Sequence, residues 1–496
     1  MRNVRALPGL AFMAIVAVAL TACTDTETRI VEVEVPEPLY EEPPEGAAGF
    51  LGYNDQAASL TVCGRCHVGK QAEWETTAHA DAWAGLQEGG DAQSFCEGCH
   101  TVGQLGNPSS TEGGWTATTD TRYHDVQCES CHGPGQDHVD NPDASQPFAS
   151  LAVSLDPVAG CAECHSGNHH PFVEDWSQSA HATIVTFAAD RAECASCHRG
   201  QATLEAWGEN DEYIEKEDGE HLAVVCGVCH DPHETRHEGQ LRFAVQTTSI
   251  EDHLCARCHN RRTIPSAFSH GLEPHAPEAA LLVGDAGWFP PNAEIDEGQI
   301  RGTHGSEANS GLCATCHVSS YEVTDAETGA FVFNSTGHLF TAIPCVDAAG
   351  VPVAGDCPVS TADRSFQGCT GAGCHGDATA AFSALTSGVN GVQGAADDLI
   401  GLLEQVDSGL NDADPPIDDT DPTFTIAEGA FFNYNLATHG GDVTPAAVHN
   451  PFLVEALLLA SITAVEDEYS IMAVTAPVRE QRDARIRELI EKAGSH

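Results

Sequence analysis

Cys63-Gly-Arg-Cys66-His67 is the first of nine similar stretches in this 496-residue chain. Eight of them have two residues between the cysteines and a histidine directly after the second cysteine. The ninth, Cys369-Thr-Gly-Ala-Gly-Cys374-His375, has four residues between its cysteines. The spacing C-x-x-C-H is the attachment signature of c-type haem, because two thiols bond to the haem vinyl groups and the next histidine binds the iron. The sequence therefore predicts nine covalently attached haems.

The motif residues form two sets, one that tethers the haem and one that binds its iron. The tethering cysteines are Cys63, Cys66, Cys96, Cys99, Cys128, Cys131, Cys161, Cys164, Cys194, Cys197, Cys226, Cys229, Cys255, Cys258, Cys313, Cys316, Cys369 and Cys374. The iron-binding histidines of the motifs are His67, His100, His132, His165, His198, His230, His259, His317 and His375. Zinc knuckles are the alternative, but structural zinc needs four ligands and gives no reason for a histidine after every cysteine pair.

Three cysteines lie outside the motifs. Cys345 and Cys357 are predicted to form a disulfide, because an exported chain reaches an oxidising compartment. A redox-active thiol pair is the alternative for these two residues. The third, Cys23, belongs to an N-terminal export pattern.

That pattern begins with Arg2 and Arg5, which precede an apolar run from Leu7 to Leu20. The run is typical of a signal peptide and is short for a membrane span. It ends in Leu20-Thr21-Ala22-Cys23, which resembles the lipobox of bacterial lipoproteins and implies a lipid on the cysteine. A plain signal peptide is the alternative. Because Thr24 follows rather than an aspartate, we expect an outer-membrane lipoprotein on the periplasmic or cell-surface face.

The charge balance limits the possible partners. Against 74 acidic residues stand 21 basic ones, so the formal net charge is −53. A surface of this kind excludes nucleic acid as a main partner, because phosphate contacts need basic side chains. Aromatic residues make up 6% of the chain, which is few for a conventional hydrophobic core of this length. We expect haem packing to replace much of that core.

The motifs recur with a long period. The first cysteines of motifs one to three are followed 98 residues later by those of motifs four to six. The stretch Trp74-Glu-Thr-Thr-Ala-His79-Ala80 also matches Trp176-Ser-Gln-Ser-Ala-His181-Ala182. Self-similarity of this kind indicates a duplicated three-haem unit. Uniform haem packing with one constant step is the alternative.

These patterns predict a mainly α-helical fold with extensive loops and little β-sheet, organised by its haems. Apolar periodicity indicates helices near 386–406, 451–466 and 477–493. The predicted organisation is a lipoprotein signal peptide at 1–22, an acidic proline-rich tether at 23–50, a first three-haem unit at 51–158, a second three-haem unit plus haem seven at 159–290, haems eight and nine at 291–385, and a helical C-terminal part at 386–496 that supplies a haem ligand.

The sixth iron ligand decides between an electron carrier and a catalyst. A haem with histidine on both sides has no open position, whereas a vacant position can bind a substrate. Seventeen histidines lie outside the motifs. The repeat and the spacing nominate as distal ligands His79, His124, His138, His181, His221, His233, His275, His304, His338 and His449. Further candidates in reserve are His169, His170, His237, His253, His270 and His439.

Three stretches resemble known cytochromes. Residues 60–140 are similar to the tetrahaem cytochrome that accepts electrons from hydroxylamine oxidation in nitrifying bacteria. The CHDPH at 229–233 resembles the decahaem cytochromes of outer-membrane electron conduits. The HNPFLVEALL at 449–458 resembles a C-terminal ligand helix of multihaem cytochromes in metal-reducing bacteria, in which the histidine binds a haem. The resemblance implies electron transfer.

We therefore expect an exported nonahaem c-type cytochrome that conducts electrons in respiratory or extracellular electron transfer. Its partners would be redox protein donors and acceptors, with the outer membrane reached through a lipid on Cys23 and with possible self-association. One alternative is an oxidoreductase that acts on a small nitrogen or sulfur oxyanion at one five-coordinate haem. Another is a subunit of a cytochrome filament.

Overall fold

The computed structural model describes residues 46–90, 92–209, 211–216, 219–266, 271, 273–291, 293–371, 373–406, 425–471 and 476–494. All of them belong to one compact body, Pro43–His496. The predicted signal peptide, the lipidation site and most of the tether lie outside the described residues.

Short helices and long loops make up most of the described chain, which confirms the predicted fold class. The α-helices are Val68–Trp74, Ala82–Glu88, Gly114–Thr118, Cys128–His132, Gln136–Asp140, Phe172–Ser177, Thr186–Ala189, Ala192–His198, Gly200–Trp207, Cys226–Cys229, Glu278–Val283, Cys313–His317, Gln367–Thr370, Ala378–Val406, Ile426–Ala437, Thr444–His449, Pro451–Tyr469 and Ala476–Gly494. Short 3₁₀ turns include Cys63–Arg65, Ala78–Asp81, Gly160–Glu163, Ala180–Ala182 and Cys255–Arg257. None of the described helices is long and apolar enough to cross a membrane.

Each haem motif folds into about one helical turn. In the first motif the amide of His67 donates to the carbonyl of Cys63 at 3.0 Å. In the ninth, the amide of His375 donates to the carbonyl of Cys369 at 3.2 Å, although two more residues lie between them. The motif with the longer spacing therefore keeps the same backbone hydrogen bond between the histidine and the first cysteine.

The β-strands of the described part of the chain form four two-stranded antiparallel pairs. The strands are Tyr53–Asp55 with Leu60–Thr61, Ser154–Leu155 with Val158–Ala159, Tyr321–Thr324 with Phe331–Ser335, and Cys345–Val346 with Pro352–Val353. In the longest pair, Tyr321 lies opposite Ser335. Next to the last pair, Cys345 and Cys357 form a disulfide, as the sequence predicts.

The largest apolar core lies in the C-terminal helices. It is formed mainly by leucine and alanine, with Leu399, Leu453 and Leu457 almost fully buried. The three predicted helices are present as Ala378–Val406, Pro451–Tyr469 and Ala476–Gly494. Ile426–Ala437 and Thr444–His449 are additional helices that the sequence analysis did not predict.

Asn450 joins this helical part to the rest of the molecule. Its side chain caps the helix Pro451–Tyr469 by accepting from the amide of Leu453 at 3.1 Å. Its amide nitrogen donates to the carbonyls of Leu281 at 3.1 Å and Ile300 at 2.8 Å. The residue is fully buried, so one side chain satisfies backbone groups of three segments.

The part of the chain that carries the motifs has much smaller apolar clusters. One is Phe50, Val102 and Tyr123, and another consists of Leu204, Ala223, Val225 and Val228. Clusters of three or four residues are too small to hold a body of this size by themselves. This supports the expectation that haem packing supplies much of the interior there.

Candidate haem centres

Eight of the nine motif histidines face a second imidazole ring at nearly constant separation. The ring centroids lie 6.0–6.3 Å apart in every pair. The pairs are His67 with His138, His132 with His233, His165 with His79, His198 with His275, His230 with His338, His259 with His181, His317 with His449, and His375 with His304.

This separation fits an iron between the rings. A metal–imidazole bond is about 2 Å long, so two such bonds place the nitrogens about 4 Å apart and the ring centres about 6 Å apart. Rings in direct contact lie closer, as Trp83 and His124 do with centroids 3.9 Å apart. The residues therefore fit a haem iron with two axial imidazoles.

Backbone carbonyls orient several of these rings. Nδ1 of His317 lies 2.9 Å from the carbonyl of Phe340, and Nδ1 of His304 lies 2.8 Å from that of Val448. Nδ1 of His138, His132 and His230 has a similar partner. A proton held on Nδ1 leaves the lone pair on Nε2 for the metal.

Burial favours the neutral form of four of the paired imidazoles. It lowers the pKa of His449 to about 4, with a smaller effect from His317. Burial also lowers the pKa of His165, His181 and His338 to about 4. Because a metal binds the neutral imidazole, these surroundings favour ligation over protonation.

His259 has a carboxylate partner. Its Nδ1 lies 3.5 Å from Oε2 of Glu278, and this neighbouring carboxylate raises the pKa of His259. A carboxylate behind a metal-binding histidine fixes the ring and makes it a stronger donor. Glu278 is a functional candidate that the sequence analysis missed, because it lies 19 residues after His259 and outside any motif.

His100 differs from the other motif histidines. No ring of the described residues lies opposite it at the separation found in the eight pairs. Its Nδ1 lies 2.7 Å from the carbonyl of Ala82. The pKa of His170 is lowered, first by burial and then by the charge of His100, so His170 lies close enough to His100 to interact electrostatically.

The structure does not bring His124 or His221 to a motif histidine. His124 stacks on Trp83 with an interplanar angle of 8°. Nε2 of His221 lies 2.7 Å from Oδ1 of Asp190, so the nitrogen that would bind an iron interacts with a carboxylate instead. Among the reserve candidates, His169 stacks on Phe331, and His270 lies outside the described residues.

Thiols of different motifs lie close enough to shift one another's pKa, in a pattern that recurs. First cysteines interact in this way in the pairs Cys63–Cys128, Cys161–Cys226 and Cys255–Cys313, and the sulfurs of the last pair lie within 4.8 Å of each other. Second cysteines interact in the pairs Cys99–Cys164 and Cys197–Cys258. A second cysteine interacts electrostatically with a first one in the pairs Cys131–Cys161, Cys229–Cys255 and Cys316–Cys369.

These contacts order the attachment sites. Sites one, three, four, six, seven, eight and nine follow one another in a line, which we call the trunk. Site two joins the trunk at site four, and site five joins it at site seven; we call these two sites branches. The contacts of sites one to four thus recur among sites four to seven.

The hydrogen bonds around the tryptophans also recur. Nε1 of Trp74 donates to the carbonyl of Val126 at 2.9 Å, and Nε1 of Trp176 donates to that of Val224 at 2.9 Å. The amides of the same two valines donate to the carbonyls of His79 and His181 at 3.1 Å. Equivalent bonds at matching positions support the duplication inferred from the sequence.

The motifs and the paired imidazoles define a multihaem c-type cytochrome, a class of protein that carries covalently bound c-type haem and exchanges electrons with redox partners. The family model described as "Cytochrome c554 and c-prime" matches residues 62–133, which contain the first three motifs. Among solved structures, the outer cell wall cytochrome OcwA is similar with 17% identity and a TM-score of 0.48, covering 76% of this chain and 77% of that one. The comparison with curated proteins found no match.

Proposed function

We propose that this chain is an exported nonahaem cytochrome that conducts electrons along its trunk. The observation that carries the proposal is the set of eight imidazole pairs, which leave no axial position open at eight of the nine sites. When bound, the haems supply reversible one-electron chemistry at their irons. The protein's own residues tether them, close both axial positions and hold the sites in order.

The proposed ligands follow from the pairs. At the eight paired sites the distal ligands are His79, His138, His181, His233, His275, His304, His338 and His449. At the second site we propose His170, because the charge of His100 contributes to the lowered pKa of His170 and the two residues therefore lie near each other. His124 and His221 are left out of the proposed set because each has another partner.

We further propose that a lipid on Cys23 anchors the chain to the outer membrane. The tether at 23–50 would then separate the lipid from the folded body. Redox proteins on the periplasmic or cell-surface side would donate and accept the electrons. Support for this part of the proposal comes from the lipobox-like sequence and the export signal.

A haem count with a matched variant tests the cofactor content. The pyridine haemochrome assay on the purified protein should give nine haems per chain, and Cys374→Ala should lower the bound haem. Eight haems in the parent and an unchanged count in the variant would remove the ninth site. Low-spin signals from fewer than eight haems would contradict the proposed ligation.

The second site favours a second candidate function. Since His100 lacks a ring at the separation of the other pairs among the described residues, its site is the candidate for reduction or oxidation of a small nitrogen or sulfur oxyanion. The oxidised protein would then show a high-spin signal that shifts with nitrite or hydroxylamine. A protein with low-spin haem alone, and with no shift, would leave electron conduction as the function.

A further inference from the structure

Four arginines lie near the fifth attachment site, which is a branch. Arg191 and Arg199 directly precede and follow the helix Ala192–His198, which carries this motif. Arg261 forms an isolated β-bridge with His275, whose ring faces that of His198. Arg262 follows Arg261 directly in the chain.

The equivalent branch in the first unit has none of these arginines. Cys96 corresponds to Cys194, and Cys161 corresponds to Cys255. In that register Arg191, Arg199, Arg261 and Arg262 correspond to Gln93, Thr101, Gly167 and Asn168. The repeated scaffold therefore does not require arginine at these positions.

The four arginines also lack carboxylate partners. In a chain with 74 acidic residues, none of the four forms an ion pair within the described ranges. Of the nearby acids, Asp190 lies against His221 and Glu278 lies against His259, while Glu193 is on the motif helix itself. The local charge is positive on a protein whose net charge is −53.

Apolar side chains are exposed in the segment that precedes Arg191. Ile184, Val185 and Phe187 are 38%, 50% and 66% exposed. The guanidinium of Arg191 lies over the ring of Phe187, 3.8 Å from its centroid. Aromatic residues and arginine are enriched at protein–protein interfaces, and this segment presents both.

We propose that the branch-five surface, residues 184–199 with 261 and 262, docks an acidic redox protein that exchanges electrons through the fifth site. This inference rests on the proposed electron-transfer function. It adds the site at which electrons are exchanged and the charge of the partner. The rest of the acidic surface repels such a partner, so the basic surface directs its approach to one orientation. The uncharged equivalents at the second site offer no such surface.

The test uses the full haem-loaded protein and an acidic flavodoxin as probe, with stopped-flow measurement of the rate constant for electron transfer from the reduced flavodoxin. The test variant is Arg191→Gln/Arg261→Gln/Arg262→Gln. The matched control, Arg479→Gln/Arg487→Gln/Lys492→Gln, removes the same three charges from the C-terminal helix. At low ionic strength we expect the test variant to lose about tenfold in rate and most of its salt dependence, while the control stays within about twofold.

An equal loss in both variants would show an effect of net charge alone and overturn the docking surface. An unchanged rate with a shifted potential of one haem would show that the arginines interact with the haem propionates. That result would also overturn the docking surface. Concentration-dependent self-association lost in the test variant would point to a second copy of this chain in place of an acidic partner. If dithionite failed to reduce the bound haems, the electron-transfer function itself would fail.

Discussion

His79 of the first unit faces His165, the histidine of the motif that opens the second unit, with ring centroids 6.2 Å apart. His181 stands in the same relationship to His259 at 6.2 Å. Each of the two candidate ligands lies five residues after a tryptophan whose Nε1 is fixed to a valine carbonyl. The repeat therefore supplies a ligand forward, from one unit to the first site of the next.

Replacing His79 or His181 by methionine should raise the potential of one haem in each variant. Methionine is a weaker donor than imidazole, and Met/His ligation raises the potential of cytochromes. Redox titration and low-spin EPR should each show one changed haem. His124→Met is the control, because His124 stacks on Trp83. Unchanged spectra in both test variants would remove the two ligands from the proposal.

Glu278→Gln should raise the potential of the haem at the seventh site. The amide keeps the size of the side chain but loses the charge that strengthens His259 as a donor. A spectroelectrochemical titration should show one component moving to higher potential. Glu251→Gln, on an exposed residue near the same motif, should leave the titration unchanged. A shift of equal size in this control would show a general charge effect.

Asn450→Ala should destabilise the helical part by about 2–4 kcal/mol, because it removes a helix cap and leaves the buried carbonyl of Ile300 without a donor. Denaturant unfolding followed by circular dichroism measures the loss. Thr425→Ala removes the capping box at an exposed helix start and should cost about 1 kcal/mol. Equal losses in the two variants would contradict the role of Asn450 as a buried link.

Cys23→Ser should release the protein from the outer-membrane fraction. The hydroxyl cannot take the thioether-linked lipid, so the anchor would be lost while the haems remain attached. Fractionation and intact mass measurement of the parent and the variant test this. If the variant remains in the outer-membrane fraction as fully as the parent, the lipid on Cys23 is not the anchor.

The motif cysteines and histidine of each site could be predicted because C-x-x-C-H is a local pattern whose chemistry fixes its spacing. The distal histidine of each site is brought into place by folding. His338 and His449 face motif histidines 108 and 132 residues away in sequence, and no local pattern records such distances. The repeat pointed to His79 and His181 through their shared tryptophan segment. The structure does not bring His124 or His221 opposite a motif histidine, because nearness in sequence does not decide where a ring points.

The C-terminal part shows the same limit. Amphipathic or apolar periodicity predicted the long helix Pro451–Tyr469, but Ile426–Ala437 escaped prediction. It is a short helix that is buried on several sides, with Ala427, Phe432 and Leu436 in the core, so it offers few turns in which a period could be recognised. The order of the attachment sites was also beyond the sequence, because it depends on contacts between sulfurs of different motifs.

The sharing of ligands between repeats means that the duplicated unit does not fold around its haems by itself. His233 of the second unit faces His132 of the first, and His181 faces His259 of the seventh site. Excising residues 159–250 would take three attachment sites and would also remove these two imidazoles from sites outside the excised stretch. Residues 159–250 contain none of the rings that face His165, His198 and His230, so one repeat cut out of the chain would leave its own three irons half-ligated.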